Sequence, residues 1–225
     1  MTVKAWLEGH EYDLDDLIEL LSSGNTRVVK DNDGYYLTST EIDDRPTGVP
    51  FYEVAAQVLR RVNGLARAKN PQYRPVRLAG RYHDGDRPHT VVPIGTVEAR
   101  ARIYAAAVVI SDEATRVPQL PANGPQFVSL ATAHPDVAEA LALMGQPEPL
   151  GWVEMWKVYE VVRDNIKPSD IVALGWFTRA EVSGFGAGAN RPDVSGTSAR
   201  HARMGGRHRP TGWQRKRVGP LSANW

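Results

Sequence analysis

Thr26–Ser39, TRVVKDNDGYYLTS, decides the fold class. Two runs rich in β-branched and aromatic residues flank Asp33-Gly34, a dipeptide that tolerates the positive φ angles of a tight turn, so the stretch reads as a β-hairpin. A calcium loop built on Gly34 would put its first ligand at Val29 and its twelfth at Thr40, neither an acid, so the hairpin stands.

Before the hairpin, Leu14, Leu17, Ile18 and Leu21 form the apolar stripe of a short helix. Asp13, Asp15, Asp16 and Glu19 lie on its other face, and Gly24-Asn25 ends it. After the hairpin and a proline-bounded link at Arg45–Pro50, the spacing predicts a helix over Glu53–Lys69. Val54, Val58, Val62, Leu65 and Ala66 point inward, Arg60 and Arg67 outward. Pro75–Tyr82 and Val91–Ile94 read as paired strands around the polar turn Asp84–Arg87, with His83 and His89 at its flanks. Val97–Ile110 alternates most clearly. Val97, Ala99, Ala101, Ile103, Ala105 and Val109 share one face; Glu98, Arg100, Arg102 and Tyr104 begin the other. Pro118–Pro125 is a loop, Gln126–Leu130 (QFVSL) reads as a strand, Asp136–Met144 as a helix and Gln146–Pro149 as a link.

From Gly151 to Met204 the pattern turns helical. Met155, Tyr159, Val162 and Ile166 recur one turn apart beside Trp152 and Trp156, while Glu160 and Arg163 are spaced for a helical ion pair. Pro168 breaks this helix, and Ser169 is placed to cap a restart over Asp170–Trp176. Thr178 and Glu181 form a capping box for a further helix, expected to be cut short by Gly184, Gly186 and Gly188. A loop would then deliver Asn190, with Ser195, Thr197 and Ser198 capping a last short helix that carries Arg200 and His201. The fold expected is α+β. Residues 1–135 form a mostly antiparallel sheet with a covering helix, 136–204 a helical region and 205–225 a basic, mobile tail.

Composition sets limits. The absence of cysteine among 225 residues excludes disulfides, thiol nucleophiles and cysteine-ligated metals. With an N-terminus that turns acidic early and no apolar run long enough to span a bilayer, a cytoplasmic protein with no membrane partner is expected. Charge is segregated beneath the net +1. Residues 54–83 hold seven cations and no acid, residues 194–225 another seven and no acid, leaving the remainder at −13. Two basic blocks on an acidic body suit a polyanion partner or internal charge complementarity. Arginine outnumbers lysine 21 to 6, which a GC-rich, bacterial-like composition produces by itself.

Three functions fit this pattern. The first is nucleic-acid or polyanion binding. Arg77 and Arg81 share a strand face that could join Arg100, Arg102 and Tyr104, and Trp213 beside Arg215, Lys216 and Arg217 could contact bases and phosphates. The alternative for the strand arginines is cross-strand pairing with Glu98 and the acidic first helix. The second is a metal-independent phosphodiesterase or ribonuclease using Arg200 and His201 with Glu160 and Asn190, where a histidine moves protons and an arginine stabilises a pentavalent phosphate. The spacing Arg203-Met-Gly-Gly-Arg-His208 resembles the motif of HEPN ribonucleases, but Gly205-Gly206 stands where that family has a helix, and no family is assigned on it. The third is a protein-interaction or assembly module, with a protein partner or a second copy of the chain. Phosphate-loop, HExxH and GxSxG motifs are missing from the sequence, and neither a cofactor nor a metal is expected.

Overall fold

The computed structural model describes residues 2–85, 87–91, 124–147 and 149–201. The strand expected over Val97–Ile110, with Arg100, Arg102 and Tyr104, and the tail residues Trp213, Arg215, Lys216 and Arg217 lie outside them.

Five strands form one antiparallel sheet in the order β2-β3-β1-β4-β5. They are β1 (Val3–Glu8), β2 (Thr26–Asp31), β3 (Gly34–Ser39), β4 (Arg77–Asp84) and β5 (Arg87–Thr90). The hairpin β2–β3 is in register from Thr26↔Ser39 to Asp31↔Gly34. Its turn is Asn32-Asp33, one residue earlier than the dipeptide suggested. Positive φ falls on Gly34 alone, at 124°, and the Asp31 carboxylate accepts the Asp33 N–H at 2.9 Å. Side-chain capping thus replaces a primed turn. The strand that pairs with β4 is β5 at Arg87–Thr90, after Gly85 at φ 58°; of the strand expected at Val91–Ile94, Val91 lies outside β5 and residues 92–94 lie outside the described residues.

Alternation gives the sheet two unlike faces. Val3, Ala5, Leu7, Val28, Leu37 and Tyr82 point inward, against α1 (Glu11–Leu20) and α3 (Phe51–Lys69). These helices contribute Leu14, Leu17, Val58, Val62 and Leu65 to the same core. The short α2 (Thr40–Asp43) closes one end, where the Asp43 carboxylate accepts the Val3 N–H at 2.7 Å. Buried Asn63 of α3 is bonded through both ends of its amide: its nitrogen donates to the Val76 carbonyl, and its oxygen accepts from the Tyr73 hydroxyl and the Val76 N–H. An amide bonded in this way fixes how the helix sits on the chain entering β4.

The remaining helices stack outward from α3. Residues 126–130, read as a strand, belong instead to α4 (Gly124–Ala133). The run is too short for its apolar pattern to separate strand from helix, and long-range contacts decide the outcome. Gly124 meets the backbone of Leu20, Val128 packs on the core, and Thr132 donates to Glu41 at 3.2 Å. Helix α5 (Pro135–Met144) crosses α3 so closely that a Cβ on Gly64 would collide with the Leu141 carbonyl, and one on Gly145 with that of Arg60. Arg67, expected to face solvent, reaches across to donate to the Met144 and Gln146 carbonyls at 2.7 and 3.1 Å, closing the end of α5. Burial lowers its pKa.

Helix α6 (Trp152–Asn165) lies on α5, and α7 (Arg179–Asn190) on α6. The capping box at the start of α7 forms as expected. The Glu181 carboxylate accepts from the Thr178 N–H and hydroxyl at 2.8 Å each, and the Glu181 N–H donates to the threonine oxygen at 3.2 Å. The restart over 170–176 does not form a helix. Asp170, rather than Ser169, caps a single turn, its carboxylate accepting from the Val172 and Ala173 N–H groups at 2.8 Å each.

Candidate functional site

Three places in this framework are candidates for a functional site. The first is the junction of α6, α7 and the segment after α7, which holds the proposed Glu160, Asn190, Arg200 and His201. Gly184, Gly186 and Gly188 do not end α7; they lie within its twelve residues. A Cβ on Gly188 would approach the Trp152 ring to 2.6 Å, and one on Gly186 the Trp156 ring to 3.6 Å. Gly188 therefore leaves room for the Trp152 indole that no side chain would, whereas a Cβ at Gly186 would make ordinary contact with Trp156. Phe185 completes the cluster, stacked on Trp156 at a 5.7 Å centroid distance and edge-on to Tyr159 at 5.6 Å.

This aromatic cluster positions Glu160. Its Oε1 accepts the Trp156 indole N–H at 2.8 Å and pairs with Arg200 Nη1 at 3.2 Å. The helical pair with Arg163 is not made, since Arg163 turns to Asp164 at 3.4 Å. Arg200 is held from its backbone as well, its N–H donating to the Ala189 carbonyl at 2.8 Å. It does not sit in a last helix. The chain forms α8 (Pro192–Ser195) and a 3₁₀ turn (Gly196–Ser198), and is extended at Ala199. Gly196, at φ 62°, interrupts the run, and the Ser195 hydroxyl donates back to the Gly188 carbonyl at 2.6 Å instead of capping forward. Asn190 also turns inward, its amide donating to the Gly186 carbonyl at 3.0 Å. Glu160 and Arg200 therefore converge. Asn190 serves its own helix, and His201 is exposed, with no hydrogen bond or ion pair among the described residues.

The second place is the outer face of the sheet. Trp6 is its centre, donating from its indole N–H to His83 Nδ1 at 2.8 Å and touching Tyr36 edge-on. Arg81 lies over the Trp6 ring at 3.9 Å and donates to the Asp33 carbonyl at 3.0 Å. Arg77 pairs with Glu8 across the β1–β4 ladder at 3.4 Å, and Lys4 sits over Tyr36 while reaching Asp31 at 3.5 Å. Arg77 and Arg81 do share this face. Among the described residues Arg77 pairs with Glu8 of β1 rather than with the acidic first helix, and Glu98 lies outside the described residues.

The third place is one that no sequence motif marks. A groove of about 410 Å³ runs between α5 and α6, walled by Asp136 and Glu139 on one side and by Lys157, Glu160, Asp164 and Asn165 on the other. Its trace in the sequence is helical spacing, three apart on α5 and three, four and one apart on α6. A charged stripe of this kind is ordinarily a solvated helix face, and only the packing of α5 on α6 turns two stripes into walls. Asp164 is bound at 2.9 Å by Lys167, which with Arg163 holds its carboxyl below the usual range. Asp136 and Glu139 make no ion pair among the described residues.

Among the described residues, no three His, Asp or Glu side chains gather in a way that could hold a metal ion, and no helix is long and apolar enough to cross a membrane. No protein-family model, curated protein or solved structure matches the chain.

Proposed function

We propose that the protein binds nucleic acid through its polyanionic backbone, using the outer face of the sheet together with the arginine-rich run after Arg200. The observation that supports this reading is the sorting of the sheet. The core helices close on one face, and Lys4, Arg27, Arg77 and Arg81 stand on the other around Trp6 and Tyr36. The Arg77–Glu8 pair leaves both side chains more than 60% exposed, at 64% and 63%. An exposed pair of this kind contributes about 0–1 kcal/mol, so a phosphate can take the place of Glu8. Labelled single-stranded RNA and duplex DNA titrated into the full chain across a salt series test the reading. Affinity should fall steeply with salt, and Arg27→Ala/Arg77→Ala/Arg81→Ala should flatten the log–log slope by about one per phosphate contact removed. Absence of binding at low salt would contradict it.

A second reading, metal-independent phosphodiester cleavage by Arg200 and His201, draws support from the meeting of Glu160 with Arg200 one residue from an exposed histidine. Its requirement is cleavage of RNA by the full chain that His201→Ala abolishes without loss of fold.

A further inference from the structure

We propose that the groove between α5 and α6 receives the chain's own arginine-rich run, Arg203–Arg217, through ion pairs to Asp136 and Glu139. The groove brings four carboxylates together against Lys157. Two of them are already answered, Glu160 by Arg200 and Asp164 by Lys167 and Arg163. Asp136 and Glu139, both exposed on the α5 wall, are the two without an ion pair among the described residues.

The occupant is identified by charge and by where the chain leads. Residues 202–225 hold six cationic side chains, Arg203, Arg207, Arg209, Arg215, Lys216 and Arg217, and no acid. Arg200, the first cation of this basic block, is anchored on a groove wall through Glu160. Arg203 follows three residues later, within about 10 Å of extended chain. Between Ala202 and Arg217 the only large apolar side chains are Met204 and Trp213, so this segment offers charge rather than an apolar ligand. The first basic block shows the chain using cations in this way: Arg61 pairs with Glu41 at 2.6 Å, Arg77 with Glu8, and Arg67 closes a helix end. Docking in the groove would make the acidic body an internal competitor for cations that the proposed function assigns to nucleic acid. That consequence rests on the nucleic-acid reading; the docking itself does not.

The test needs no nucleic acid, so its failure is distinguishable from failure of that reading. Trypsin cleavage after the arginines of the run is timed in the full chain and in the full-length Asp136→Lys/Glu139→Lys and Asp136→Asn/Glu139→Gln variants, each matched to the parent in far-UV circular dichroism. At low salt the charge-reversed variant should be cut several-fold faster and the neutralised one should fall between. High salt should bring all three to one rate, because screening removes the exposed pairs. Equal rates at low salt would overturn the proposal. Protection that grows with protein concentration would overturn its intramolecular form and assign the groove to a second copy of the chain.

Discussion

The sheet region and the C-terminal helices hold themselves together by different means. Around β1, α1 and α3 the core is continuous, with Leu17, Leu21, Leu37, Ile42 and Val62 fully buried. Burial of a side chain of this size contributes about 1.5–3 kcal/mol, so stability there comes mainly from apolar area removed from water. Helices α5 and α6 contain no buried residue at all, although α6 carries Trp152, Val153, Met155, Trp156 and Tyr159. What orders that region is interlocking shape, indole on glycine, and single polar clips such as Trp156–Glu160–Arg200. Area-based stability is spread over many contacts and tolerates small changes. Shape-based stability depends on a few positions where nothing larger fits.

The largest break in this contrast is expected at Leu17→Ala, a deep truncation that should cost about 2–5 kcal/mol and unfold the sheet region in chemical denaturation. Next comes Gly188→Ala. A methyl group there meets the Trp152 ring, and overpacking of this kind costs about 1–3 kcal/mol. Its effect should be confined to the C-terminal helices and read as a change in tryptophan fluorescence with the sheet's amide signals intact. Thr178→Ala removes half of the capping box and should cost about 1 kcal/mol, measured as fraying at the start of α7. Acid sharpens the comparison further. Thr178 holds the Glu181 carboxyl below its usual range, and Lys167 with Arg163 does the same for Asp164. A carboxyl depressed in the folded state contributes stability above its unfolded pKa and loses it as pH falls through the folded value. The α6–α7 region should therefore loosen before the sheet on acidification, followed by amide NMR.

How much of this is legible in the sequence depends on the range of the interaction. The hairpin at Thr26–Ser39, the stripe of α1, the length of α3 and the Thr178–Glu181 box are written in neighbouring residues, and each is readable there. The α+β class follows from them. The glycines of α7 read as helix breakers because their intrinsic cost is local, whereas the use of Gly188 depends on Trp152, more than thirty residues away. Helix α4 reads as a strand for the same reason, since what Gly124 and Thr132 meet is Leu20 and Glu41. Of the proposed site, residue types and a helical position for Glu160 are visible. Its partner is not: a pair separated by forty residues leaves no periodic trace, and the nearer Arg163 offers a spacing that satisfies the same rule.

Hydrogen exchange on the intact chain tests the central contrast most directly. Amides of β1, β3 and α3 should exchange only through global unfolding, while α6 and α7 should open together at a markedly lower free energy. Gly188→Ala should speed exchange in α6 and α7 alone. Equal protection across both regions, or a Gly188→Ala effect that spreads into the sheet, would contradict the division of the molecule into a buried core and an interlocked outer layer.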